Sequence, residues 1–116
     1  RILPIWKKGG LLMDDMAQKE ETVFRKKVDD FLDSLPKTFH ESIQQTSISG
    51  SADKLICCNG KFIAAEIKTN DGLLEPLQEH KLSKVEKANG KAYVVRPKNF
   101  NDFKRDLTRI ANSKFL

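Results

Sequence analysis

The sequence predicts an α/β domain with a small mixed β-sheet flanked by helices, in the order α-β-β-β-α-β-α. A helical stripe of apolar residues comes first, two apolar runs are joined by Asn59-Gly60, and a further strand follows a helix that begins at Pro76. A two-residue turn joins antiparallel strands, whereas a strand that follows a helix can pair in parallel. The chain has 116 residues, enough for one hydrophobic core.

The first helix is predicted over residues 19–35. Its apolar side chains recur every three or four positions and therefore share one face. They are Phe24, Val28, Phe31, Leu32 and Leu35. Glu21 extends this stripe towards the N-terminus and Glu20 lies at its edge, although an acid here could simply stabilise the helix N-terminus. We expect residues 1–18 to form a flexible N-terminal extension to a domain of residues 19–116.

Three strands are predicted before the second helix. Residues 38–49 are strand-like but polar, which suits an edge strand. Residues 53–58 and 61–69 form a hairpin, because Asn-Gly between two apolar runs favours a tight turn. Positions at equal distance from such a turn lie opposite each other. Asp53 and Glu66 are therefore predicted to be neighbours across the hairpin.

The remaining elements are a helix, a strand and a last helix. The second helix is predicted over residues 76–89, with Gly90 as its C-terminal cap. One of its faces carries Gln78, Leu82 and Val85. Residues 91–95 read as a strand, and the last helix begins near Asn99. The inward face of this helix carries Phe100, Phe103, Leu107 and Ile110.

The net charge of +5 arises entirely in the second part of the chain. Residues 1–67 carry 10 Lys and Arg and 10 Asp and Glu, whereas residues 68–116 carry 11 and 6. The second helix contributes Lys81, Lys84 and Lys87. A basic region favours a polyanionic partner, with nucleic acid ahead of a membrane surface, although an ordinary solvated surface has the same composition.

The two cysteines, Cys57 and Cys58, are adjacent in a predicted strand. Their side chains therefore point to opposite faces of the sheet and cannot readily bridge. We expect both to be buried and reduced, as in a cytosolic protein. The chain lacks the Cys and His spacing of zinc sites, and no apolar run approaches the roughly 18 residues of a membrane helix.

Asp53, Glu66 and Lys68 form the candidate site. Glu66 and Lys68 are two residues apart and share one face of their strand. Two carboxylates as close as Asp53 and Glu66 repel each other unless a cation joins them, and hard oxygen ligands suit Mg²⁺. Lys68 could then position or activate a water and stabilise negative charge at a phosphate. From spacing alone, a structural Asp-Lys-Glu cluster at the rim of the sheet is the alternative.

Asp53 and the Glu66-Ile67-Lys68 segment resemble the motif of PD-(D/E)XK nucleases, and residues 49–95 are similar in detail to the VRR-NUC branch. The shared features are a glycine before the aspartate, an Asn-Gly-Lys-Phe turn, a Glu-x-Lys strand, a Pro-x-Gln helix start and a Val-Val strand. The resemblance covers about residues 20–110. The usual proline before the aspartate is Ala52 here, and because proline supplies no ligand we expect activity to survive.

The resemblance implies a restriction-endonuclease-like core and a Mg²⁺- or Mn²⁺-dependent DNA endonuclease. By this resemblance, the metal ligands would be Asp53, Glu66 and the backbone carbonyl of Ile67. Lys68 would be the catalytic lysine, and Gln78 would lie near the site. The acidic residue on the first helix that supports the metal site would be Glu21 or, alternatively, Glu20.

Stand-alone VRR-NUC proteins resemble Holliday-junction resolvases and are common in phages. The resemblance thus implies a homodimer that cuts branched DNA in the cytoplasm of a bacterial cell or a phage-infected host. The alternatives are a nuclease for flaps, nicks or single strands, and a non-catalytic DNA-binding module of the same fold. The basic flank of the second helix would contact DNA through Lys81, Lys84 and Lys87. Trp6, Lys7 and Lys8 could add stacking and charge or could be unstructured.

Overall fold

The computed structural model describes residues 5–43, 50 and 52–114, with side chains of the first helix described at residue 16 and from residue 19 onward. Its elements are α1 (Ile5–Ser34), β1 (Thr38–Ser42), β2 (Lys54–Cys58), β3 (Lys61–Ile67), α2 (Pro76–Lys87), β4 (Lys91–Val95) and α3 (Phe100–Asn112). A short 3₁₀ turn at Pro97–Asn99 precedes α3. The predicted order of elements and the α/β class are both confirmed.

The four strands in the described part of the chain form one mixed sheet in the order β1-β2-β3-β4. The first three strands are antiparallel, and β4 runs parallel to β3. The turn between β2 and β3 has positive φ at both residues, 51° at Asn59 and 80° at Gly60, as a type I′ turn requires. The register pairs Lys54 with Ala65. The next positions outward are Asp53 and Glu66, as predicted.

One face of the sheet carries the hydrophobic core beneath α1 and α3. The helices contribute buried Phe24, Val28, Leu32, Phe103, Leu107, Ile110 and Ala111. The strands contribute Ile56, Cys58, Ile63, Ala65, Ile67 and Val95. The stripes predicted for the first and last helices therefore face inward. Each large side chain buried here stabilises the fold by about 1.5–3 kcal/mol.

The opposite face of the sheet lies under α2. Leu82 of α2 is buried, and it lines a groove of about 830 Å³ together with Leu55, Ala64 and Val85. Side chains alternate between the two faces of a strand. Glu66, two residues from Ala64, therefore projects onto the α2 face rather than into the core.

The first helix begins much earlier than predicted, at Ile5 instead of near residue 19. The backbone of the predicted extension is thus helical from Ile5 onward and continuous with α1. The side chains of Trp6, Lys7 and Lys8, which the sequence suggested for DNA contact, lie outside the described residues. No helix in the described ranges is long and apolar enough to cross a bilayer.

Two further predictions need correction. The edge strand ends at Ser42, and residues 44–49 of the predicted strand lie outside the described residues. Cys58 is buried but Cys57 is exposed, which contradicts the expectation that both are buried. The reason is that Cys57 pairs with Phe62 on the α2 face. Phe62 itself is 47% exposed, so α2 does not cover this part of the sheet.

The C-cap of α2 is Ala88, and the residue in the left-handed conformation after it is Asn89 rather than Gly90. Asn89 has a φ of 69°, and its N–H donates to the carbonyl of Glu86 at 3.0 Å. The N–H of Gly90 donates to the carbonyl of Val85 at 2.9 Å, which completes a Schellman motif. Glycine at position 90 serves packing instead, because an added Cβ would lie 2.8 Å from Val85 Cγ1.

Candidate functional site

The predicted site residues meet where β2 begins and β3 ends. Asp53 directly precedes β2, and Glu66 lies one residue before the end of β3. Asp53 Oδ2 accepts a hydrogen bond of 2.9 Å from the backbone N–H of Ile67. This bond holds the Asp53 carboxylate against the end of β3, beside Glu66.

Glu66 is a buried acid with an incomplete set of partners. The residue is only 3% exposed to solvent. Oε1 accepts a hydrogen bond of 3.0 Å from Gln78 Nε2, whereas Oε2 is buried and has no hydrogen-bond partner among the described residues. Burial first, and then a hydrogen bond to the adjacent Asp53 and its charge, raise the pKa of Glu66 from 4.5 to about 8, against the opposing charges of Lys68 and Arg25. The hydrogen bond to Asp53 forms only when one of the two carboxyls holds a proton, so Oε2 is without a partner among the described residues when both are ionised. A buried acid of this kind requires a proton or a cation.

Gln78 is oriented by the N-terminus of α2. Its Oε1 accepts a hydrogen bond of 3.0 Å from the backbone N–H of Glu75. This bond leaves the amide nitrogen to donate to Glu66. Gln78 therefore lies beside the site, where the sequence resemblance placed it, and it determines which oxygen of Glu66 lacks a partner.

Arg25 of α1 links the first helix to the site, and the sequence interpretation did not include it. Its Nη2 lies 3.3 Å from Glu21 Oε1 and 3.3 Å from Asp53 Oδ2. Glu21 thus reaches Asp53 through Arg25, whereas Glu20 is exposed and lines a surface depression with Val23. Of the two candidate acids, Glu21 is the one that faces the site. The available signal was the spacing of four between Glu21 and Arg25, typical of a helical ion pair.

Ile67 is the last residue of β3 and Lys68 follows it at the site. The side chain of Lys68 is partly buried and its charge acts on Glu66. Its backbone N–H donates to the carbonyl of Val95 at 3.0 Å, which extends the pairing with β4 past the strand end. Ile67 is buried and contacts Asp53 through its N–H. A role for its carbonyl as a metal ligand stays a prediction.

An ion pair between buried Lys54 and partly exposed Asp29, next to the site, was also missed. Lys54 is 2% exposed, and its Nζ lies 2.7 Å from Asp29 Oδ1 and 2.8 Å from Ser42 Oγ. The sequence pattern assigned no partner to Lys54, because Asp29 is far away along the chain. The pair ties α1 to the start of β2, so it helps to position Asp53.

The basic residues predicted to contact DNA lie along α2. Lys81 and Lys84 line the groove between α2 and the sheet, and Lys87 is exposed at the last residue of the helix. Lys81 is one turn from Gln78. Lys81, Lys84 and Lys87 thus form a row of lysines on the helix that also carries Gln78.

The residues present fit a hard divalent cation held by few protein ligands. No group of three or more His, Cys, Asp and Glu side chains suited to a metal occurs within the described ranges. Mg²⁺ commonly binds through one or two carboxylates and keeps several waters. Asp53 and Glu66 provide two such carboxylates, and Glu66 Oε2 is a buried acceptor without a donor among the described residues. Metal coordination would satisfy this atom.

Comparison of the chain with protein-family models, with curated proteins and with solved structures gave no match. The similarity to VRR-NUC proteins therefore remains a prediction from the sequence motif. A function for this chain is supported by that motif and by the contacts around Glu66.

Proposed function

We propose that this protein is a Mg²⁺- or Mn²⁺-dependent DNA endonuclease with a site formed by Asp53, Glu66 and Lys68. The observation that carries the proposal is the buried carboxyl of Glu66, whose Oε2 has no described hydrogen-bond partner. A purely structural cluster of charges would be expected to satisfy each buried oxygen. Glu66 and Asp53 are close enough to share a proton when no metal is bound, and a divalent cation between two carboxylates would replace that proton.

Each residue has a separate part in the proposed reaction. Asp53 and Glu66 would hold the ion, with the carbonyl of Ile67 as a further ligand by the sequence resemblance. The ion, when bound, supplies positive charge that stabilises a phosphodiester under attack and makes a water more acidic. Lys68 follows Glu66 on the same face, where its ammonium would stabilise negative charge on the phosphate. Gln78 donates to Glu66 Oε1, which would leave Oε2 to bind the ion.

The proposed substrate is branched DNA, and the proposed assembly is a homodimer. One metal site cuts one strand, so symmetric cleavage of a four-way junction needs two sites related by a two-fold axis. The row of lysines along α2 would contact the phosphates. We place this activity in the cytoplasm of a bacterial cell or a phage-infected host. Light scattering with junction DNA tests the assembly, and a monomer at tens of micromolar contradicts it.

The decisive experiment is cleavage of labelled four-way junction, flap, duplex and single-stranded DNA, with and without Mn²⁺ or Mg²⁺. Asp53→Asn and Lys68→Ala should each abolish cleavage while the fold and DNA binding persist. The matched control is Asp30→Asn, because Asp30 is an exposed acid paired only with Lys26 at 3.1 Å in the contacts of the described residues. This control should cut like the wild type.

Two results would contradict the proposal. If the wild type binds DNA but cuts none of these substrates with either metal, the protein is a DNA-binding module rather than a nuclease. If Asp53→Asn cuts as well as the wild type, the two carboxylates do not form the site.

A further inference from the structure

We infer that Arg25 is a built-in counter-ion of this site, which pairs with Asp53 before metal binds and is replaced there by the divalent cation. The inference rests on the proposed function, because it concerns the same carboxylates. It assigns a role to a residue outside the sequence motif. It also implies a form of regulation, because the first helix would lower the metal affinity of the site through Arg25.

The contact geometry is that of an exchangeable ion pair. A single nitrogen, Nη2 of Arg25, lies 3.3 Å from both Glu21 Oε1 and Asp53 Oδ2. Tight pairs between arginine and a carboxylate are bidentate, with distances of about 2.7–2.9 Å. The side chains of Arg25, Glu21 and Asp53 are 38%, 42% and 23% exposed. Water and ions can therefore reach this pair.

Arg25 cannot make room for a cation by losing its proton. Burial opposes its charge, but the carboxylates of Asp53 and Glu21 outweigh this effect and raise the pKa of Arg25 above its ordinary value. The guanidinium thus stays charged at any working pH. A divalent cation on Asp53 Oδ2 would lie next to a fixed positive charge, and the two repel each other.

The position of Arg25 on α1 offers it another partner. Glu21 is four residues away on the same helix and already contacts the same nitrogen. When Asp53 takes a metal, Arg25 can keep its pair with Glu21, since side chains at this spacing are neighbours on the helix surface. Glu66 Oε2, buried and without a described hydrogen-bond partner, would be a second ligand for the cation. Arg25 does not contact this oxygen in the described hydrogen bonds.

The test is Mn²⁺ binding to the full chain, measured by electron paramagnetic resonance of free Mn²⁺, for wild type and Arg25→Gln. Removing the competing charge should tighten Mn²⁺ binding roughly fivefold or more. It should also lower the melting temperature without metal, because Asp53 and Glu21 lose their cation. Arg25→Lys, which keeps the charge, should bind Mn²⁺ like the wild type.

The matched control is Lys26→Gln. Lys26 is the next residue on α1, and its Nζ pairs with exposed Asp30 at 3.1 Å. Its removal changes the net charge equally but should leave Mn²⁺ affinity nearly unchanged. A second measurement needs no variant. Mn²⁺ should speed modification of wild-type Arg25 by an arginine-specific dicarbonyl reagent, read by peptide mass spectrometry, while Arg105, exposed on α3, reacts at a constant rate.

The outcomes separate this inference from the proposed function. If wild type binds Mn²⁺ and Arg25→Gln binds it equally or more weakly, the inference is wrong and the metal site stands. An unchanged or slower reaction of Arg25 with the reagent in Mn²⁺ also overturns it. If neither protein binds Mn²⁺, the metal site and the inference both fail.

Discussion

Without divalent metal, the wild-type protein should become less stable as the pH rises. Replacing Glu66 by glutamine should remove most of this pH dependence. The pKa of Glu66 is raised from 4.5 to about 8 by burial and by Asp53. Between these values the folded state holds a proton that the unfolded state has released. The free energy of unfolding therefore falls with rising pH. The stability that the protonated acid provides is complete below about pH 4.5 and is lost as the pH rises to about 8.

The size of this effect follows from the two pKa values. One pH unit of difference corresponds to about 1.36 kcal/mol. The interval from 4.5 to about 8 therefore amounts to several kcal/mol, on the order of 5 kcal/mol at most, once the coupled Glu66 and Asp53 carboxyls are both ionised in the folded protein. A small domain has a total stability of about 5–15 kcal/mol, so the loss is a large fraction. Glutamine cannot ionise, yet its oxygen can still accept the hydrogen bond from Gln78.

The assay is urea unfolding from about pH 5 to about pH 9 with a chelator present. Wild type should lose stability steadily over this range, whereas Glu66→Gln should lose much less. Asp30→Asn is the control, because Asp30 is exposed and its loss should leave the wild-type pH dependence intact. If wild type and Glu66→Gln lose stability in parallel across the range, ionisation of Glu66 is not the cause of the loss.

Three further predictions concern the surface, the core and a tight contact. Replacing Lys81, Lys84 and Lys87 together with Gln should weaken DNA binding to all sequences and reduce the slope of log affinity against log salt by about one per lost phosphate contact. Leu107→Ala should lower the free energy of unfolding by about 2–5 kcal/mol, because Leu107 is fully buried. Gly90→Ala should cost about 1–3 kcal/mol, since its Cβ would lie 2.8 Å from Val85 Cγ1.

Each of these predictions has a matched control. For the salt slope, the control is the variant in which Lys104, Arg105 and Arg109 on α3 are all replaced by Gln, which removes the same charge. If this control lowers the slope equally, the lysines of α2 do not form the DNA surface. For the core it is Leu73→Ala, because Leu73 is 85% exposed and should tolerate the change. For Gly90→Ala, adding Val85→Ala should recover part of the loss, and strict additivity would contradict the steric explanation.

The hairpin register could be predicted because its causes are local. Asn59-Gly60 favours a type I′ turn, and a two-residue turn determines which residues pair for the length of the strands. The position of Asp53 opposite Glu66 therefore follows from the turn alone, whatever the rest of the fold. The inward stripes of α1 and α3 follow in the same way from the period of their apolar residues. By contrast, the start of α1 was missed because Gly9 and Gly10 each lower helix propensity by about 1 kcal/mol.

The partners of the charged residues were decided by the tertiary structure. The sequence by itself determined the pairing of Asp53 with Glu66 and the shared face of Glu66 and Lys68. Only the packing of α1 against the sheet brought Arg25 within 3.3 Å of Asp53 and Asp29 within 2.7 Å of Lys54. A turn and a period act over a few residues, whereas these contacts join residues far apart in the chain. Their formation depends on how helices and sheet bury their common apolar surface, which no local pattern specifies.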